Sequence, residues 1–139
     1  DFVILNPPFY KANSVPRKKN RERDIAMRES ELGLDDWLKI AMSYCAFKGH
    51  VVLIHNTERL PEIIKCFGSK MGNISVIPLA TRKGEKAKRI IVVGIKGSKA
   101  PLSIFTPLNL HKGDKSTDGR RVYTSRINRV LRDCVRLKW

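Results

Sequence analysis

Acidic side chains are scarce in this 139-residue chain: 13 Asp and Glu stand against 28 Lys and Arg, a formal net charge of +15 at pH 7. So large an excess demands an anionic partner or environment. Cysteines are few as well. Cys45, Cys66 and Cys134 are odd in number, far apart and without CxxC spacing, which excludes a secreted disulfide scaffold and suits a reducing compartment better than a zinc site. No apolar run reaches the roughly 18 residues that a membrane span needs, and the first residues do not resemble a signal peptide, so a cytoplasmic protein with no membrane partner is expected. What remains is ample for one core: 42% of the residues are hydrophobic and 29% charged, too apolar for a disordered basic tail.

The order of the patterns predicts an α/β fold. Phe2-Val3-Ile4-Leu5 is a short apolar run stopped by Asn6-Pro7-Pro8, as expected of a strand buried on both faces. Residues 11–23 carry Lys11, Arg17, Lys18, Lys19, Arg21 and Arg23 against the single acid Glu22, which predicts a mobile basic loop. Leu34, Trp37, Leu38, Ala41, Met42 and Cys45 recur at helical spacing up to the stop at Lys48-Gly49, and Val51–Ile54 reads as a second buried strand. Thr57 stands at an N-cap position before a helix carrying Leu60, Ile63, Ile64 and Phe67 and ending at Gly68. Strand, helix, strand, helix implies parallel strands with crossovers. Ile74–Leu79 and Arg89–Ile95 flank a basic turn and predict a closing antiparallel hairpin. Residues 124–136 set Ile127, Val130, Leu131 and Val135 on one helical face, with Arg126, Arg129, Arg132 and Arg136 opposite.

Chemistry is expected at Asn6-Pro7-Pro8-Phe9, directly at the carboxyl end of the first strand, where open α/β sheets place their ligands. Prolines fix the backbone and offer carbonyl acceptors without competing N–H donors. Asn6 adds a side-chain acceptor, and Phe9 a flat apolar face for a planar group. Two acceptors that hold the N–H bonds of an exocyclic adenine amine out of the ring plane localise its lone pair. They also stabilise the positive charge that develops as the nitrogen attacks a sulfonium methyl, an effect of about 2–4 kcal/mol per acceptor. The proton leaves after transfer, so a neutral Asn suffices where deprotonation first would need a carboxylate or His.

Residues 1–9, Asp-Phe-Val-Ile-Leu-Asn-Pro-Pro-Phe, resemble the Asp-x-Val-x-x-Asn-Pro-Pro-Phe signature of class I amino-group methyltransferases that use S-adenosylmethionine. Leu34-Asp35-Asp36-Trp37, residues 49–55, Glu58-Arg59-Leu60, Ala87-Lys88-Arg89 and Lys96-Gly97-Ser98 resemble, in order, later blocks of the bacterial valine-tRNA adenine-N6 methyltransferases. The resemblance implies a Rossmann-like methyltransferase sheet, S-adenosylmethionine as cofactor, a tRNA partner and methylation of an adenine. It assigns the catalytic motif to Asn6, Pro7, Pro8 and Phe9, with Asn6 also facing the cofactor, Asn6 and Pro7 on the target amine and Phe9 stacking on the base. The family's glycine-rich cofactor loop has no counterpart before Asn6. Residues 1–139 are therefore expected to be the C-terminal part of a single methyltransferase domain, without its cofactor-binding half and inactive alone, with a strand edge open to self-association.

The motif's neighbours complete the expected site. Tyr10 either extends the stacking surface or caps the core, and Lys11 with Arg17-Lys18-Lys19 lies where a flipped base would arrive, so these are the candidate RNA contacts. His55 follows the second strand at the same end, and a structural role is expected of it. Two alternatives share the amine chemistry, methylation of a protein glutamine or of a DNA adenine, and a third is a non-catalytic RNA-binding module. The charge favours nucleic acid over protein, and the resemblance favours tRNA over DNA.

Overall fold

The computed structural model describes residues 1–9, 32–68, 70–113 and 122–137. Among the described residues, six strands form one mixed sheet: β1 (Phe2–Leu5), β2 (His50–Asn56), β3 (Met71–Ala80), β4 (Arg89–Lys96), β5 (Ser103–Ile104) and β6 (Leu108–Asn109). The spatial order is β1-β2-β4-β3-β5, and β6 also pairs with β3. β1 runs parallel to β2, and the β3–β4 hairpin is antiparallel, with β4 inserted between β2 and β3. The predicted parallel sheet closed by a hairpin is thus present. The two short strands β5 and β6, within a stretch whose sequence shows only mixed polarity and breaks, pair parallel to β3 beyond the hairpin.

Helices α1 (Leu34–Tyr44) and α2 (Leu60–Phe67) cover one face of the sheet. Leu34, Leu38, Ala41 and Met42 of α1 and Ile63 and Phe67 of α2 pack with Val51, Leu53, Ile90 and Val92 of the sheet in the main core. Alternation along β2 sends Val51, Leu53 and His55 into that core and turns Val52 and Ile54 to a smaller cluster of Ile77, Leu79, Val93 and Leu108 on the other face. A third helix, α3 (Ser125–Asp133), begins at Thr124, whose hydroxyl accepts from the Ile127 N–H and donates to the Asn109 carbonyl.

Several boundaries differ from the sequence reading for local reasons. Within residues 1–139, β1 lies at one end of the strand order, with Phe2 and Ile4 64% and 76% exposed where a strand buried on both faces is expected, while Val3 and Leu5 pack on the main core. Thr57 does not cap a helix. It opens a 3-10 turn, Thr57–Arg59, and its hydroxyl donates to the Ala87 carbonyl at 2.9 Å. α1 stops at Tyr44 rather than running to Lys48, because Lys96 of β4 reaches over and donates to the carbonyls of Met42 and Cys45, both at 2.7 Å. A cation at a helix C-terminus satisfies orphan carbonyls and complements the helix dipole. Lys96→Met should therefore cost about 2 kcal/mol in a urea melt.

The cysteines occupy three environments: Cys45 is buried, Cys66 half-buried and Cys134 exposed. Burial, and then the neighbouring Asp35, push the Cys66 thiol up to about 12. A thiol with a raised pKa stays protonated and poorly nucleophilic near neutrality. At pH 8 iodoacetamide should therefore modify Cys134 first and leave Cys66 and Cys45 nearly untouched in the folded protein, as peptide mass mapping would report.

Candidate functional site

The parallel register Leu5↔Leu53 brings the segment after β1 alongside the last residues of β2. Asn6 is exposed, Pro7 buried, and Pro8 and Phe9 half-buried. Two residues at the end of β2 hold the turn in place. The Nε2–H of His55 donates to the Pro8 carbonyl at 3.2 Å, and the Asn56 amide reaches the Phe9 carbonyl at 3.5 Å. His55 is fully buried, and its ring meets the Phe9 ring edge-on, with centroids 5.4 Å apart. A buried donor and a ring contact together fix the position of the turn more firmly than the prolines alone.

The next strand adds a cation. Arg89, first residue of β4, pairs with Asn56 across the ladder, and its guanidinium lies 4.9 Å from the centroid of the Phe9 ring. The chain leading to it is tied to the same end of β2, since the Thr57 N–H donates to the Lys88 carbonyl at 3.1 Å. The end of the sheet therefore gathers the turn, with Asn6 exposed, Pro7 buried and Phe9 half-buried, and the Arg89 charge over the Phe9 ring.

The hydrogen bonds of this turn divide it into two parts. The carbonyls of Pro8 and Phe9 are occupied by His55 and Asn56, whereas among the described residues neither the Asn6 side chain nor the Pro7 carbonyl has a hydrogen-bond partner. The two acceptors that the sequence singles out are thus held in place by their neighbours and are themselves unspent. An exposed carboxamide and a carbonyl in a rigid turn can accept both N–H bonds of a planar amine beside an aromatic face.

Of the expected site residues, Asn6, Pro7, Pro8 and Phe9 are brought together as one turn. Tyr10, Lys11, Arg17, Lys18 and Lys19 lie outside the described residues. Sequence reasoning did not single out Asn56 or assign Arg89 a place at the motif, because both depend on pairing between residues far apart in the chain. The order of strands around the hairpin is the signal that brings β4 beside β2, and the register of that pair then sets Arg89 opposite Asn56. His55 has the structural role expected of it, together with a partner in the motif itself.

No family model matches the chain, and no curated protein matches it. Among solved structures it is similar to the crystal structure of a predicted O-methyltransferase from Agrobacterium tumefaciens, with 28% identity and a TM-score of 0.67 over 93% of this chain. That alignment takes in 49% of the other chain, so the present chain spans about half the length of the structure it matches. No helix among the described residues is long and apolar enough to cross a membrane. The mixed sheet with its flanking helices is similar to a Rossmann-like methyltransferase fold.

Proposed function

We propose that the turn Asn6–Phe9 is the target-base side of an enzyme that methylates the exocyclic amine of an adenine in tRNA. The supporting observation is the division of acceptors at the turn: among the described residues Asn6 and the Pro7 carbonyl have no hydrogen-bond partner, while the two following carbonyls are bound internally. A pair of acceptors suits a group with two N–H bonds, and a hydroxyl has only one hydrogen to offer. S-adenosylmethionine, the proposed cofactor, supplies an electrophilic methyl group. Asn6 would face it, since the residue is exposed at the carboxyl end of a parallel strand, where ligands of open α/β sheets lie.

In this reading the base stacks on Phe9, and the amine donates its hydrogens to Asn6 Oδ1 and the Pro7 carbonyl. A planar base entering on the face that Arg89 covers displaces the guanidinium, and the phosphate that arrives with the base offers it a new partner. His55 and Asn56 keep the acceptors from turning away as charge builds on the nitrogen. The net charge of +15 supports a nucleic-acid substrate over a protein glutamine.

The test is a competition for radiolabelled methyl groups, using the complete gene product with unmodified tRNA, duplex DNA and a glutamine-containing peptide. Label is expected in tRNA. Label in the peptide with none in tRNA overturns the reading.

A further inference from the structure

The sequence pattern extends α3 as a continuous helix to Arg136, which would spread four arginines along one face. The structure ends the helix at Asp133 and reverses the chain at Cys134, a non-glycine residue in the left-handed region with φ 51°. The Cys134 and Val135 N–H groups both turn back to the Arg129 carbonyl. In an unbroken helix Arg126 and Arg136 would stand about 15 Å apart along the axis. The reversal instead folds Arg136 back so that it lines one groove with Arg126 and Arg129, over Val130 and Val135, with a volume of about 370 Å³. Arg132 is left out.

No acid lines this groove, and none of the three arginines forms an ion pair among the described residues; Asp133, the one acid of α3, lies outside it. Like charges gathered without a counter-charge repel one another, so the arrangement is relieved by an anion. Guanidinium forks match phosphate oxygens in pairs. A lipid surface is a poorer fit, because the apolar groups left open, Leu131 and Val135, are few beside the arginines, while Ile127 is buried and Leu137, past the helix, packs on the second core.

We propose that Arg126, Arg129 and Arg136 form a binding site for the phosphate backbone of the RNA strand whose adenine enters the Asn6 turn. This inference rests on the reading of the substrate as RNA. The two sites share one end of the sheet. Thr124, at the start of α3, is bonded to Asn109 of β6, while β6 pairs with the end of β3 and the end of β3 with Arg89. From β1 to β6 there are four inter-strand steps of about 4.8 Å, roughly 19 Å in all. A stacked strand advances about 3.4 Å per nucleotide, so about six nucleotides span that distance.

The test follows the binding of a fluorescein-labelled 12-nucleotide RNA by anisotropy as salt is raised, in the complete protein and in its Arg126→Gln/Arg129→Gln/Arg136→Gln variant. Each phosphate contact on a single strand adds about 0.7 to the slope of log K against log salt, so the triple variant should lose about 2. The corresponding triple lysine variant should keep the slope. If circular dichroism shows the glutamine triple unfolded, each single glutamine variant should lose about 0.7. An unchanged slope in the glutamine variants overturns the proposal, and so does an equal loss in the lysine variant, which would mean structure rather than charge. Loss of phosphatidylserine-vesicle binding with an unaltered RNA slope also overturns it. Asn6→Ala separates the two ideas: it should lower methyl transfer by about 10²–10³ and leave the slope intact, and if it leaves turnover intact instead, the catalytic reading fails while the groove stands.

Discussion

Asn6→Ala is expected to lower kcat for adenine methylation by about 10²–10³ and to leave stability within about 0.5 kcal/mol. The asymmetry comes from the residue's place. Asn6 is exposed and has no hydrogen-bond partner among the described residues, so its removal opens no cavity and orphans no donor. What is lost is an acceptor aimed at the nitrogen where positive charge develops, and such preorganised groups act mainly on the transition state. KM should therefore change little. Asn6→Asp is informative beside it: the acceptor remains, and turnover should recover in part, whereas a role confined to folding the turn would leave alanine and aspartate variants alike. Steady-state kinetics and a thermal melt on the same preparations decide the matter.

The largest effect on folding is expected at Phe67. This side chain ends α2, is fully buried, and fills the space over Gly94 of the central strand β4. Phe67→Ala should cost about 3–5 kcal/mol, a large share of the 5–15 kcal/mol that holds a domain together. Gly94 is there because the ring is there: a Cβ at Gly94 would lie 2.9 Å from Phe67 Cε2 and 3.2 Å from Met71 Cε. Gly94→Ala alone should cost about 1–3 kcal/mol through overpacking. Once Phe67 is alanine the added methyl enters vacated space, so the double variant should lie at least about 1 kcal/mol above the sum of the singles. Additive losses in urea denaturation would show that the two sites do not share this space.

β2 and α1 were legible because a short apolar run and a three-and-four spacing each report a local period. The hairpin was legible because its two β-rich runs flank a basic turn. The exposure of Phe2 and Ile4 was not, since a run of apolar residues does not say whether a neighbour covers it. Nor was the reversal at Cys134, where a residue other than glycine takes the left-handed conformation and brings Arg136 back beside Arg126. At the site, the acceptors Asn6 and Pro7 could be read from four consecutive residues. Their supports, His55, Asn56 and Arg89, depend on register between strands up to some eighty positions apart, which local patterns do not encode.

The central claim is that the unspent acceptors of the Asn6–Phe9 turn serve an adenine amine. The most direct measurement incubates the complete protein with isotopically labelled S-adenosylmethionine and unmodified tRNA, digests the RNA to nucleosides and identifies the labelled species by mass spectrometry. The account predicts label in N6-methyladenosine, formed about 10²–10³ times more slowly by the Asn6→Ala variant. Label in a ribose 2′-O-methyl nucleoside, or in N6-methyladenosine at an undiminished rate with Asn6→Ala, would contradict it.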